Sequence, residues 1–117
     1  MATVTPAFDF VATQSGKTPR VTWADIVTGD TLTTFPVAAQ AAVAGAVQFG
    51  GTFGGATIGL QVSNDGTTYF DMRDLGGTVI SATAAALFEF TTAAMYIRPV
   101  ITGGAANAVD VTAVLRG

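Results

Sequence analysis

The sequence predicts an all-β fold: a single-domain antiparallel β-sandwich of jelly-roll type, or a small barrel. Three observations carry this. Apolar residues recur with a period of two along most of the chain, the spacing of strands with one buried face. Gly- and Asn-rich breaks fall at intervals of about 8 to 12 residues. Only one stretch has helical propensity. With 117 residues the chain forms one domain, residues 1–117, which can bury roughly two-thirds of its unfolded surface.

In chain order, residues 1–19 are expected as an extended N-terminal arm in which "FDFVA" is a short strand candidate. "RVTWADI" (20–26) and "DTLTTF" (30–35) are further short candidates. "VAAQAAVAG" (37–45) is the helix-prone stretch, and its small side chains suit equally a loop pressed against a neighbour. "AVQFGGTF" places Val47, Phe49, Gly51 and Phe53 on one face, and "TIGLQVS" does the same with Ile58, Leu60 and Val62. These are expected to pair through a turn at Gly54 and Gly55, since glycine reaches positive φ without steric cost. Asn64, Asp65 and Gly66 then favour a tight turn into a strand over 68–72, completing a three-stranded meander.

Four more strands follow: "TVIS", "ALFEF", "MYIRPVIT" and "AVDVTAVLR". In the last, Val109, Val111, Ala113 and Leu115 face one way while Asp110, Thr112 and Arg116 face the other, the pattern of a half-buried antiparallel strand. Pro99 has no N–H for a ladder, so its strand is expected at an edge or bulged there.

The surface this chain can present is unusual. Charged residues are 11% of the chain and apolar residues 50%, with a mean hydropathy of +0.51, against about 25% charged residues in ordinary soluble domains. Five basic and eight acidic side chains leave most of the exterior to Thr, Gly, Ala and Gln. Burial of part of that exterior, on copies of the chain or on another protein, is the expected consequence.

No run approaches the roughly 18 apolar residues of a membrane-spanning helix. The start "MATVTPAFDF" lacks the basic and long apolar regions of a signal peptide, so synthesis and retention in the cytosol are expected until the protein is used. A net charge of −3 and scattered cations argue against nucleic acid as a partner. Lys17 and Arg20 are expected in a solvated loop.

Catalysis has little to work with. There is no histidine or cysteine, which removes the usual general base, thiol nucleophile and transition-metal ligands together. Asp71 and Asp74 flank Arg73, but two aspartates about an arginine are more often a solvated turn than an acid–base pair. Asp65 alone supplies too few oxygens for calcium, and "GGTFGG" lacks the Lys-Ser/Thr and the helix of a phosphate loop. No catalytic, cofactor or metal site is expected.

The residues singled out for structural turns or interfaces are Asn64, Asp65, Gly66, Arg98 and Trp23. Arg98 is a lone cation in a very apolar strand; it either points outward or pairs with Asp71, Asp74 or Glu89. Trp23, Tyr69 and Tyr96 have the rings for a sugar-stacking face, although core or interface packing is the commoner use.

Trp23, the "GDT" of 29–31 before Pro36, "VQFGGTFGGATIGLQVSNDGTTYFDMRDLGG", "YIRPVITGG" and the closing "VDVTAVLRG" together resemble a group of small tailed-bacteriophage virion proteins. The resemblance spans residues 20–117 and departs at Val62, where that group commonly has glycine. It implies a virion structural protein, foremost a capsid decoration or cement protein on the capsid surface. Its partners would be the major capsid protein and its own copies, as a homotrimer. A tail or baseplate component is the alternative place. "SNDGTTYFDM" and "AMYIRPVIT" are also similar to discoidin-like carbohydrate-binding modules, whose ligand loops do not map onto this chain.

Overall fold

The computed structural model describes residues 3–13, 16–36, 44–92 and 94–116. Its strands are β1 (Thr3–Val4), β2 (Ala7–Thr13), β3 (Gly16–Ile26), β4 (Thr31–Leu32), β5 (Phe35–Pro36) and β6 (Ala44–Thr52), then β7 (Thr57–Ser63), β8 (Phe70–Asp71), β9 (Ser81–Ala82), β10 (Ala86–Thr91), β11 (Tyr96–Thr102) and β12 (Ala108–Arg116). No helix occurs among the described residues. The helix-prone stretch falls mostly on residues 37–43, outside them; its last two residues begin β6.

Ten of the strands form two antiparallel sheets packed face to face, β1 and β4 pair in parallel as a separate two-stranded sheet, and no barrel closes. One sheet runs β10-β6-β12-β3-β2. The other runs β5-β11-β7-β8, with β9 beside β8 on the same edge of β7. Alternation decides which side chains enter the core. From the first sheet come Val21, Trp23, Val47, Phe49, Phe90 and the inward face of β12, namely Val109, Val111, Ala113 and Leu115, all buried. Ile58, Leu60, Met72 and Ile97 meet them from the second. Burying these side chains at roughly 25 cal/mol per Å² of apolar surface is the main term holding the layers together.

The anticipated meander is corrected by the topology. β6 and β7 exist where the periodicity puts them, but they do not pair: β6 lies between β10 and β12, and β7 between β11 and β8. Gly54 and Gly55 close a tight turn, with φ of +57° and +84° and Ala56 N–H donating to the Phe53 carbonyl at 2.9 Å. That turn carries the chain from one layer to the other. Only the second half of the expected meander, β7 turning into β8, is a hairpin within one sheet.

The connections at residues 27–30, 53–56 and 103–107 lie together at one end of the sandwich, where residues 83–85 also cross from β9 to β10. Asn107, a buried polar side chain, ties two of them. Its Oδ1 accepts from the Thr28 N–H at 3.1 Å and its Nδ2 donates to Thr28 Oγ1 at 2.8 Å. Thr28 Oγ1 donates in turn to the Gly103 carbonyl, and Ala105 N–H donates to the Gly54 carbonyl at 3.0 Å. The arches therefore brace one another.

β3 carries a bulge. Val109 pairs with Ile26 and Val111 with Trp23, so Ala24 and Asp25 oppose the single residue Asp110. Asp25 has a φ of +55°, and its N–H donates to Asp110 Oδ1 at 2.9 Å. The bulge keeps Trp23 and Ile26 both inward despite their odd spacing.

The segment anticipated as an arm contains β1, β2 and the start of β3. β2 forms the outer edge of the first sheet, from Ala7 opposite Thr22 to Thr13 opposite Gly16. Arg20, expected in a loop, is on β3 and holds Asp9 through two hydrogen bonds of 3.2 and 2.6 Å. Pro99 sits in a strand paired on both sides for only part of its length, since β5 covers just Tyr96 and Ile97. The Ile97 carbonyl accepts from Thr34 Oγ1 on the β5 side; two residues on, the Pro99 nitrogen faces the same way, beyond the end of β5.

Removing the Asn107 amide strands the Thr28 N–H in a half-buried place. Asn107→Ala should lower unfolding free energy by about 1–3 kcal/mol, measured by chemical denaturation. A change within error would mean that water replaces the amide and that the arches do not depend on it.

Candidate functional site

Of the residues chosen from sequence, Asn64, Asp65, Gly66 and Arg98 lie toward the opposite end of the sandwich, on and beside the β7–β8 hairpin, and Trp23 does not join them. Its hub is Ser63, which is buried. Ser63 Oγ accepts from the Gly66 N–H at 2.9 Å and the Asp65 N–H at 3.2 Å, and donates to Asp65 Oδ1 at 2.9 Å. A hydroxyl has one proton and two lone pairs, so this one is fully used. Asp65 Oδ1 also accepts from the N–H groups of Thr67 at 2.8 Å and Thr68 at 2.9 Å. Those backbone bonds first, and the Ser63 hydroxyl after them, hold the Asp65 carboxyl below the usual aspartate range. Gly66 closes the turn with φ of +74°.

Asn64 reaches outside the hairpin: its Oδ1 accepts from the Met95 N–H at 3.1 Å, fixing the approach to β11. Between these segments lies a groove of about 260 Å³ whose lining includes Val62, Asn64, Phe70 and Ala94. Phe70 is 67% exposed and Met95 42%.

Phe70 has company along the same edge. Leu75 is 63% exposed and Leu87 59%, and the two line one groove of about 370 Å³ with Asp74, Phe88 and Glu89. The loop bearing Leu75 bends over β10, where the Leu75 N–H donates to the Glu89 carbonyl at 3.1 Å. Asp74 braces that loop by accepting at Oδ1 from the N–H groups of Gly76 and Thr78, and Arg73 Nη1 donates to the Gly77 carbonyl. Asp74 and Arg73 are thus turn residues.

Arg98 finds none of the expected carboxylates. Its Nε and Nη2 donate to Gln61 Oε1 at 3.3 and 3.2 Å, and the guanidinium lies 3.6 Å from the centre of the Tyr69 ring. Asp71 stands opposite Gln61 on β8, yet no ion pair joins it to Arg98. The stacked guanidinium occupies one face of Tyr69, which removes that face as a platform for sugar. Trp23 is wholly buried, its indole N–H donating to the Thr33 carbonyl at 2.8 Å, and takes no part in any surface. Of the three rings considered for stacking, Tyr96 remains half-exposed beside Gly66.

No group of three His, Cys, Asp or Glu side chains with metal-holding geometry occurs among the described residues. What the site offers is shape: a rigid hairpin tip beside apolar side chains that protrude from one edge. Ser63 and Leu75 were not singled out from sequence. The spacing of Ser63 to Asp65 and Gly66 is a signal for a hydroxyl-capped turn, whereas nothing local marks Leu75 as exposed.

No protein-family model matches the chain, and no curated protein matches it in sequence. Among solved structures the fold is similar to that of the SPBc2 prophage-derived protein YomS, with a TM-score of 0.59 at 7% identity, covering 83% of this chain and 93% of that one. An exo-β-1,3-galactanase from Phanerochaete chrysosporium, solved with galactose, superposes with a TM-score of only 0.26 at 12% identity, covering 95% of this chain and 26% of that one. The first likeness shows a shared fold.

Gly66→Val places a β-branched side chain at positive φ, with its Cβ 3.8 Å from the Tyr96 ring, and should cost about 1–2 kcal/mol of stability by chemical denaturation. An unchanged unfolding midpoint would show that the turn relaxes freely.

Because the Asp65 carboxyl titrates lower in the folded chain than in the unfolded one, its contribution is complete above the ordinary aspartate range. It is lost as pH falls through the depressed folded value. Freshly purified Asp65→Asn should melt below the parent near neutrality, and the gap should close on acidification. A gap independent of pH would remove the carboxylate's charge from the account.

Proposed function

We propose that this chain is a structural protein of a phage particle and that it serves there as a capsid decoration, or cement, protein. The observation that carries the reading is the set of protruding apolar side chains, Phe70, Leu75 and Leu87, on an edge where the backbone is braced by its own loop. With so few charges elsewhere, such an edge is made stable in water by a partner surface. The sequence pattern shared with small virion proteins, and a fold like that of a prophage-derived protein, support the phage setting.

In this reading the protein works by binding and turns nothing over. Its site on the shell is composed of several major capsid subunits, so it exists only once they have assembled. Binding then stabilises the lattice by mass action, by about 2.7 kcal/mol per site at one hundred times the dissociation constant. Copies contact one another as well, as a trimer. A tail or baseplate position would use the same apolar edge, and copy number per particle separates the two.

Purified protein added to expanded capsids that lack it should bind in a large saturating number and raise their disruption temperature. Unassembled capsid subunits should bind it weakly, and Leu75→Ser with Leu87→Ser should weaken shell binding while leaving the melting temperature of the free protein nearly unchanged. Binding to glycans with no effect on shell stability would overturn the proposal.

A further inference from the structure

We propose that the Asp65–Gly66 bond is a latent site of isoaspartate formation which Ser63 and the turn it organises hold closed. Aspartate followed by glycine is the pairing most prone to this rearrangement, because glycine leaves its amide nitrogen unobstructed. In the reaction the Gly66 nitrogen, having given its proton to water, attacks Asp65 Cγ. A C–N bond forms, a C–O bond of the carboxyl group breaks, and the oxygen leaves as water, giving a succinimide. Water then reopens the ring. Opening at Cγ restores aspartate, and opening at the former backbone carbonyl leaves the main chain running through the side-chain carbon. No oxidant or reductant enters, and the water lost in the first step is regained in the second.

Each requirement of that reaction is opposed by the folded turn. The attacking nitrogen is engaged, since the Gly66 N–H donates to Ser63 Oγ at 2.9 Å. The electrophilic carboxyl is pinned forward over the next residues, with Oδ1 accepting from Thr67, Thr68 and Ser63. Ring closure needs the carboxyl to shed an oxygen as water, which its protonated form does far more readily, and the same bonds favour the ionised form. Ser63 is common to both halves of the lock: it holds the nucleophile with one lone pair and the electrophile with its proton. It is buried, so water does not compete readily for either contact. The constraint matters most for a protein that must last without resynthesis.

The experiment incubates the full chain at neutral pH below its melting temperature and follows isoaspartate by enzymatic methylation with a protein isoaspartate methyltransferase, locating it by electron-transfer fragmentation. The folded parent should accumulate it at Asp65 far more slowly than the same protein held in urea. Folded Ser63→Ala should gain it roughly tenfold faster than the folded parent, the effect of removing one hydrogen bond to a charged group that holds the ground state and is broken before the transition state. Ser63→Thr, which keeps the hydroxyl, should stay close to the parent, and far-UV circular dichroism checks that each variant is folded. Equal rates in folded and unfolded parent would overturn the proposal outright. Equal rates in folded parent and Ser63→Ala would overturn the role of Ser63, and should that variant fail to fold, the comparison of folded with urea-held parent still decides.

Discussion

The structure depends on one constraint: two sheets with one apolar face each, which have to be turned toward one another by a single short chain. Val47 and Phe49 on β6 and Ile58 and Leu60 on β7 are separated by a two-residue turn, yet they approach from opposite layers. A hairpin would lay those residues side by side on one face and leave the face uncovered. An arch sets them against each other across the core, where each buries the other's surface. The same crossing is made from β3 toward β5 and from β11 to β12. Arches gathered at one end concentrate backbone polar groups where few ladders remain to satisfy them. Asn107 and Thr28 supply the missing partners. Such a buried amide is therefore a consequence of the topology: the more chain that crosses at one end, the more that end needs side-chain donors and acceptors.

How much of this is legible in the sequence follows from what alternation encodes. A period of two fixes which side chains share a face, and the inward sets of β6, β7 and β12 are the ones it names. It says nothing about which strand is the neighbour, because a hairpin and an arch present the same alternation up to the turn. Gly54 and Gly55 read as a hairpin turn for the same reason: positive φ at both positions suits either use. The β7–β8 hairpin was legible because Asn64, Asp65 and Gly66 form a turn by local bonds that need no tertiary partner. Arg98 was legible as unusual and illegible in its partner. Of the carboxylates considered for it, Asp71 and Asp74 lie on the neighbouring edge and in a braced loop, and Gln61, placed beside Arg98 by register, takes the guanidinium first.

The low charge of the chain looks different once the layers are known. Alternation directs Val, Leu and Phe inward, so much of the apolar excess is consumed by the core. What remains outside is selective. Phe8 stacks on Phe35 at 5.2 Å between ring centres along the β2–β5 edge, so its exposure is partial and its ring already has a partner. Phe70, Leu75 and Leu87 belong to the opposite edge, and each shows more than half of its surface. The asymmetry between the two edges carries more weight for partner binding than the overall composition, which a well-packed core explains in part.

That edge also has to avoid joining strands with any chain it meets. β10 is the outer strand of its sheet, and unpaired backbone groups along an outer strand recruit other strands without discrimination. Here the loop from Arg73 to Val79 bends across it, and the Leu75 N–H occupies the Glu89 carbonyl. Asp74 and Arg73 hold the loop in that position through its own backbone. The backbone of the edge is thereby partly withdrawn while its side chains are pushed outward. Association through such an edge depends on the fit of Leu75, Leu87 and Phe70 into a complementary surface, since strand addition would first have to displace the loop. A contact of that kind discriminates by shape, which is the property a protein needs if it is to recognise an assembled surface and ignore its scattered components.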